Sequence, residues 1–230
     1  MKILAVGAHP DDVEFGCAPI LIQEVRNGHE ARILVTSKGE AASAGTPDER
    51  AQEARDAARI IGAAIQFLEL GGDCHVEHKP ANTMTLAREI RRFKPEVVLA
   101  PHLGENQHPD HAMVGRIVRD AARLARYGGL QDLEDLAPHP ITSLYYYTIT
   151  QVFVDPPPVV VDVTTAREAW EAAIQCHQSQ MRTRNYLDLV LSRARTLGAA
   201  VGVEYAVGLW LNDPLRLGSL ADIPLSSRCF

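Results

Sequence analysis

Two short segments of this chain carry side chains that could do chemistry together. Ala8-His9-Pro10-Asp11-Asp12 offers one imidazole and two carboxylates, and His108-Pro109-Asp110-His111 offers two imidazoles about a carboxylate. Two imidazoles and one carboxylate, drawn from both segments, would give zinc three protein ligands. The fourth position is then left for water, the pattern of a catalytic site rather than a structural one. Each segment alone has a plainer reading: Asp12 as a helix cap in a polar loop, and His-Pro-Asp-His as an ordinary helix start. Only a fold that brings the two together favours the metal. Arg50 is a third candidate, a charge on the helical stripe where a surface helix normally presents an apolar residue to the sheet, so it needs a partner.

The elements around these segments supply that fold. Lys2 to Gly7, Ala31 to Thr36, Ala64 to Leu68 and Glu96 to Ala100 are brief runs rich in Val, Ile and Leu, as buried parallel strands are. Between them lie amphipathic stretches. The clearest spans Pro47 to Ile61, with Arg50, Ala54, Ala57 and Ile61 at helical spacing, Thr46 as N-cap and Glu49 closing a capping box. Alternating strands and helices imply right-handed crossovers and a Rossmann-like, doubly wound, mostly parallel α/β sheet, whose ligands bind at the carboxyl ends of its strands. Both histidine segments leave strands at that end, and His108 and His111, three apart, would share a helix face running toward Ala125. Beyond His139, Ser143 to Ile149, Val159 to Val163 and Val203 to Leu211 read as strands. Thr165 to Gln180 and Asn185 to Gly198 read as helices, a C-terminal extension expected to enlarge the sheet and cover the site.

Composition narrows the class. The chain has 230 residues, 46% of them hydrophobic, and a formal charge of −6, so it suits one domain over residues 1–230. No basic block exceeds Arg91-Arg92, which leaves no nucleic-acid footprint. No apolar stretch is long enough for a bilayer, and Ile3 to Ala8 is too short for a signal-peptide core, so a cytoplasmic protein without a membrane partner is expected. Cys17, Cys74, Cys176 and Cys229 are widely spaced without Cys-x-x-Cys and are expected to be reduced. A nucleotide-binding module fails because the first βα turn lacks Gly-x-Gly-x-x-Gly and places two carboxylates where a pyrophosphate would sit.

The Ala-His-Pro-Asp-Asp loop, the Arg50-x-x-Glu53 helix start and His108-Pro-Asp-His111, in that order, resemble the LmbE/PIG-L family of zinc-dependent N-acetylglucosaminyl deacetylases. Asp12-Val13-Glu14, Gly45-Thr46, Tyr145 to Tyr147, Ser179-Gln180, Tyr186 and Gly202 to Ala206 are most similar to its bacterial branch that deacetylates N-acetylglucosaminyl malate in bacillithiol synthesis. The resemblance spans nearly the whole chain. It implies that His9, Asp12 and His111 bind zinc and that Asp11 is the general base. It further implies that His108, oriented by Asp110, stabilises the oxyanion or protonates the leaving amine. Arg50 and Tyr186 match positions lining the sugar pocket. An amino-sugar conjugate is the implied substrate, and a homo-oligomer the expected assembly.

Two departures bear on substrate. Gln107 stands where that branch has an Arg suited to a carboxylate, and the branch's Pro-Asp-Arg-Gly turn is replaced around Gly72-Asp73-Cys74-His75. Losing bidentate carboxylate partners removes the reason to favour malate, while Gln107 stays a substrate-lining candidate. An acyl amide of another sugar or natural product remains an alternative substrate. His75 and His78 beside Cys74 read as a polar loop over the rim rather than a second metal site, and His177 reads as structural. Tyr145 to Tyr147 alternate faces, so packing is expected, with a sugar-facing Tyr146 as the exception.

Overall fold

In the computed structural model, which describes residues 1–104, 107–150, 155–222 and 226, the elements run in the expected alternation. In chain order they are β1 (Lys2–Gly7), α1 (Asp12–Gly16), α2 (Ala18–Arg26), β2 (Glu30–Val35), α3 (Pro47–Ile61), β3 (Ala64–Phe67), α4 (Pro80–Phe93), β4 (Val97–Pro101) and α5 (Pro109–Ala125). There follow β5 (Ser143–Tyr147), β6 (Val159–Asp162), α6 (Arg167–Gln175), α7 (Gln178–Met181), α8 (Tyr186–Val201) and β7 (Ala206–Leu211). The seven strands form one sheet in the order β3-β2-β1-β4-β5-β7-β6. The first five strands are parallel, and β7 joins β5 and β6 antiparallel, so the sheet is mixed and mostly parallel as expected.

Helices cover both faces because β1 is apolar on both. Ile3 and Ala5 pack with α2, α3 and α6, while Leu4 and Val6 pack with α4 and α5. The chain winds outward from β1 through β2 to β3, then returns through α4 to place β4 on the other side of β1. Strand order therefore reverses between β1 and β4, where Ile3 pairs with Val97 and Ala5 with Leu99. A crevice opens at the carboxyl ends of strands at such a reversal, and both histidine loops leave the sheet there.

Local chemistry sets the helix ends. Thr46 Oγ1 accepts from Glu49 N at 3.1 Å and Glu49 Oε2 accepts from Thr46 N at 3.3 Å, the capping box read from sequence. Three expectations shift. The helix expected over Thr165 to Gln180 breaks at Cys176 and His177, because the chain turns there to bury His177 against α1. The late strand starts only at Ala206, since α8 continues to Val201 and closes on Gly202 in the left-handed region, φ 81. Strands β5 and β6 also end before Ile149 and Val163. Tyr146 packs rather than facing the crevice: it is buried and its hydroxyl donates to Asn212 Oδ1 at 2.6 Å. Cys17, Cys74 and Cys176 are free thiols, and Cys229 lies outside the described residues. Among the described residues no helix is long and apolar enough to cross a membrane.

One buried cation ties the α4–α5 layer together. Arg91 is 2% exposed and donates to the carbonyls of Ala125, Leu133, Leu136 and Tyr127, closing the chain that follows α5 over α4. Removing it strands those buried acceptors, so Arg91→Ala should lower stability by about 3–5 kcal/mol in urea unfolding. Arg91→Lys should recover only part, because an ammonium cannot reach four carbonyls in a fork. A loss under about 1 kcal/mol for the alanine variant would sink this account.

Candidate active site

The β1–α1 loop is folded on its own side chains. Asp12 does not cap α1: it is the first helical residue, and its Oδ2 accepts from Ala8 N at 2.7 Å and His9 N at 2.9 Å. The loop must bend sharply to allow this, and Asp11 takes up the bend at φ 127. The C-terminal layer holds α1 from behind, where Trp170 Nε1 donates to Glu14 O at 2.7 Å and Arg193 Nη2 to Phe15 O at 2.8 Å. Tyr147 Oη, from β5, donates to Val6 O at 2.7 Å, fixing the strand end from which His9 departs.

Across the crevice, His108 is not part of α5 but its N-cap, in extended geometry, and its Nδ1 accepts from Asp110 N at 3.3 Å. It therefore shares no helix face with His111; the two rings meet tilted at 5.6 Å. An accepting Nδ1 assigns the ring proton to Nε2. His111 Nε2 lies 3.2 Å from Asp12 Oδ1, and His9 Nδ1 lies 3.7 Å from Asp12 Oδ2. These two contacts run to different oxygens of Asp12. The groups whose donor atoms gather within 4.8 Å of one another are His9, His108 and His111, and His9, Asp73, His108 and Asp110, so imidazoles and carboxylates of both loops and of the turn after β3 are close enough to share a cation.

The potential also suits a cation. Burial disfavours a charged His9, yet hydrogen bonds with Asp110, Asp12 and Asp73 outweigh it and push its pKa up to about 12. Burial likewise opposes ionisation of Asp12, but His111 and His9 hold its carboxyl well below the ordinary value. Asp11 moves the other way: burial raises it to about 6 although Arg50 pulls it down. A carboxylate near this value is poised to take a proton at neutral pH. Burial, followed by the neighbouring His9, lowers the pKa of His108.

Arg50 has the partner it required. Its Nη2 donates to Asp11 Oδ2 at 3.2 Å and Pro10 O at 3.0 Å, and its Nη1 to Gly39 O at 3.2 Å. It borders the pocket, but its guanidinium is engaged with the Asp11 loop rather than held out to a ligand. Gly39, at φ 70, makes room for it: a Cβ there would meet Arg50 Nη1 at 1.7 Å. Asp110, expected to orient His108, does so through its backbone N–H; its Oδ2 lies 3.8 Å from His108 Nδ1 but closer to His9 Nε2, at 3.3 Å, and to Cys74 N, at 2.8 Å. Tyr186, stacked on Phe15 at 5.1 Å, and Gln107 line the pocket, whose volume is about 260 Å³. The C-terminal extension thus forms one wall of the site.

Asp73 was given no role in the sequence. It is 7% exposed with Oδ1 3.0 Å from His9 Nε2, and the signal was available, since it follows β3 and so leaves a parallel strand at its carboxyl end. Burial opposes ionisation of Asp73, but the bond with His9 outweighs it and holds the carboxyl below its ordinary value. His78 turns away to pair with Asp120 at 2.9 Å, in line with the loop reading. His177 is wholly buried with Nε2 3.4 Å from Glu14 Oε1, a structural place behind α1.

Comparison with known proteins places these loops in context. The family described as PIG-L, GlcNAc-PI de-N-acetylase, matches residues 4–122, a span holding both histidine loops and Arg50. The 4-oxalmesaconate hydratase of Pseudomonas putida is 26% identical over 225 residues, covering 90% of this chain and 87% of that protein. The structure of the conserved protein TT1542 from Thermus thermophilus is similar at 30% identity and TM-score 0.82, covering 94% of this chain and 96% of that one. N,N'-diacetylchitobiose deacetylase from Pyrococcus horikoshii shares the fold at TM-score 0.80 and 22% identity, covering 90% of this chain and 82% of its own.

The Gly39–Arg50 contact can be measured as a coupling. Gly39→Ala should cost about 2–3 kcal/mol, combining left-handed strain with displacement of the guanidinium. In an Arg50→Ala background the steric part vanishes and only about 1 kcal/mol of strain should remain. Equal costs in both backgrounds would show that the two residues do not interact.

Proposed function

The chain belongs to the PIG-L family of de-N-acetylases, and on that premise we propose that it hydrolyses the acetamide of an N-acetylglucosamine-type conjugate, releasing acetate and a free amine. The family's activity makes it a hydrolytic enzyme acting on amides. The observation that carries the finer reading is the meeting, in one pocket, of a His9–Asp12–His111 donor set with a poised carboxylate, Asp11, and an imidazole, His108. The proposal has residues 1–230 acting as one domain, in a cytoplasmic homo-oligomer, on a small-molecule substrate.

In this reading His9, Asp12 and His111 hold zinc, which when bound polarises the acetamide carbonyl and makes water a nucleophile at neutral pH. The protein's own groups do the rest. Asp11, held by Arg50 at 3.2 Å, accepts a proton from the attacking water. Its buried setting keeps the carboxylate desolvated and its pKa near the working range. His108 has its proton on Nε2 and presents it as a hydrogen bond to negative charge developing on the carbonyl oxygen, as the Asp110 N–H keeps Nδ1 occupied, while the proton that Asp11 took from water passes to the departing amine. Asp73 and Asp110 face His9 Nε2, orienting the ring so that Nδ1 faces Asp12. Arg50 serves by positioning Asp11, with Tyr186 and Gln107 as pocket walls toward the substrate.

A second reading is hydration of a carbon–carbon double bond, favoured by the hydratase relative that spans 90% of the chain. The same base and acid could serve it. Charge argues against it: among the described pocket residues Arg50 is the only permanent cation and is paired with Asp11, while Asp11, Asp12 and Asp73 line the walls. Beyond the ion held in this reading, a polycarboxylate would find no further permanent cation free among these residues. Acetate release from N-acetylglucosaminides bearing malate, inositol or sugar aglycones, assayed beside hydration of 4-oxalmesaconate, separates the two. Turnover of the latter with none of the amides would overturn the deacetylase reading.

Two variants test the roles. His111→Ala should lose stoichiometric zinc and activity with near-native circular dichroism. Asp11→Asn should keep its metal while kcat falls about a hundredfold or more; loss of zinc in that variant would instead make Asp11 a ligand.

The same charge argument addresses malate. Gln107 offers neutral hydrogen bonds where a carboxylate-binding Arg would stand, so kcat/KM for N-acetylglucosaminyl malate should lie within about tenfold of that for an uncharged N-acetylglucosaminide. Gln107→Arg should raise the malate preference by about 1.5–3 kcal/mol. A thousandfold wild-type preference for malate, erased by Arg50→Ala, would show that Arg50 supplies the charge.

A further inference from the structure

The turn after β3 places a thiol beside the imidazole that the proposed reaction uses. Cys74 Sγ lies 3.5 Å from His108 Nε2 and 3.5 Å from Asp73 Oδ1, and those two atoms are 3.5 Å from each other. A sulfur, a nitrogen and a carboxylate oxygen thus form a triangle with equal sides. Around a tetrahedral zinc with S at about 2.3 Å and N and O at about 2.0–2.2 Å, such donors stand roughly 3.3–3.7 Å apart. The backbone holds the triangle open: Cys74 N donates to Asp110 Oδ2 at 2.8 Å, Asp73 N to Glu40 Oε2 at 2.9 Å, and Ala41 N to Asp73 Oδ2 at 3.2 Å. Cys74 is exposed and His108 half-buried, so an ion can reach the triangle from solvent and complete its shell with water.

We propose that Cys74, His108 and Asp73 form a second cation site on the pocket rim, for a thiophilic divalent ion of the zinc class, and that loading it inhibits the enzyme. None of the three is in the His9, Asp12 and His111 set. Binding releases the thiol proton to solvent. His108 stays neutral, but its one ring proton moves by way of solvent from Nε2 to Nδ1, which gives up the hydrogen bond from Asp110 N and turns toward Asp110 Oδ2, 3.8 Å away. A ring so bound has no proton to present from Nε2. The inhibition therefore rests on the role proposed for His108; the binding does not.

Cadmium is the probe, because a thiolate bound to it absorbs in the ultraviolet and the primary donor set contains no sulfur. Zinc-loaded enzyme titrated with Cd²⁺ should take up one further equivalent with that band and lose amide turnover as it fills. Cys74→Ser should abolish the band, weaken this binding about a hundredfold and keep its turnover, relative to its own cation-free rate. Asp73→Asn should weaken binding about tenfold, and Cys176→Ser should change nothing. Absence of the band in the wild type, or its survival in Cys74→Ser, overturns the site. Binding at Cys74 without inhibition overturns its effect on turnover. Binding at Cys74 in a protein that hydrolyses no amide would leave the site standing and reject the deacetylase reading.

Discussion

Buried negative charge at the carboxyl edge of β1 is the constraint around which the site is arranged. Asp11, Asp12, Asp73 and Asp110 all approach His9 or its loop, and all are at most 9% exposed. Carboxylates crowded out of water cannot stay ionised without cations or hydrogen bonds. The structure answers with Arg50 on Asp11, with backbone N–H groups on Asp12, Asp73 and Asp110, and with imidazoles around what remains. Burial and a like-charged neighbour push Asp11 toward the neutral form while its neighbours hold Asp12 ionised. Two adjacent carboxylates thereby differ in ionisation, one leaning to the neutral form and the other held charged.

That compensation reaches well beyond the loop. Arg50 can face Asp11 only because Gly39 leaves space, and it stands in the first turn of α3 because Thr46 and Glu49 start the helix there. Asp12 can turn back on its own loop because α1 is held by groups from α6 and α8, and the end of β1 by one from β5. The C-terminal elements are therefore not merely a cover. They support the first strand's loop from behind while α8 supplies Tyr186 to the wall.

The charge balance also shapes what the pocket can accept. Among the described lining residues the one permanent cation, Arg50, is committed to Asp11, so the cavity offers a polyanion no second fixed positive side chain there. The departure at Gln107 acts in the same direction. At the rim, the turn around Cys74 brings a thiol, an imidazole and a carboxylate oxygen to 3.5 Å of one another.

The sequence by itself determined the alternation of strands and helices, the capping box of α3 and the two ordered histidine loops. These rest on local periodicity and on residues adjacent in the chain, which is why they were legible. The rule that ligands gather at carboxyl ends of parallel strands was enough to bring the two histidine loops together in expectation, and the family resemblance singled out His9, Asp12 and His111 within them. What tertiary structure alone decided is which atom faces which. His108 became an N-cap, because its backbone is extended before α5. Arg50 turned to Asp11 instead of outward, and the helix expected through His177 broke so that the ring could be buried against Glu14. Asp73 and Cys74 meet His108 across 34 or more positions of chain, through a turn whose shape depends on Gly71 and Gly72 at φ 123 and 88. Such contacts depend on side-chain directions set by packing between distant elements, and no periodicity along the chain encodes them.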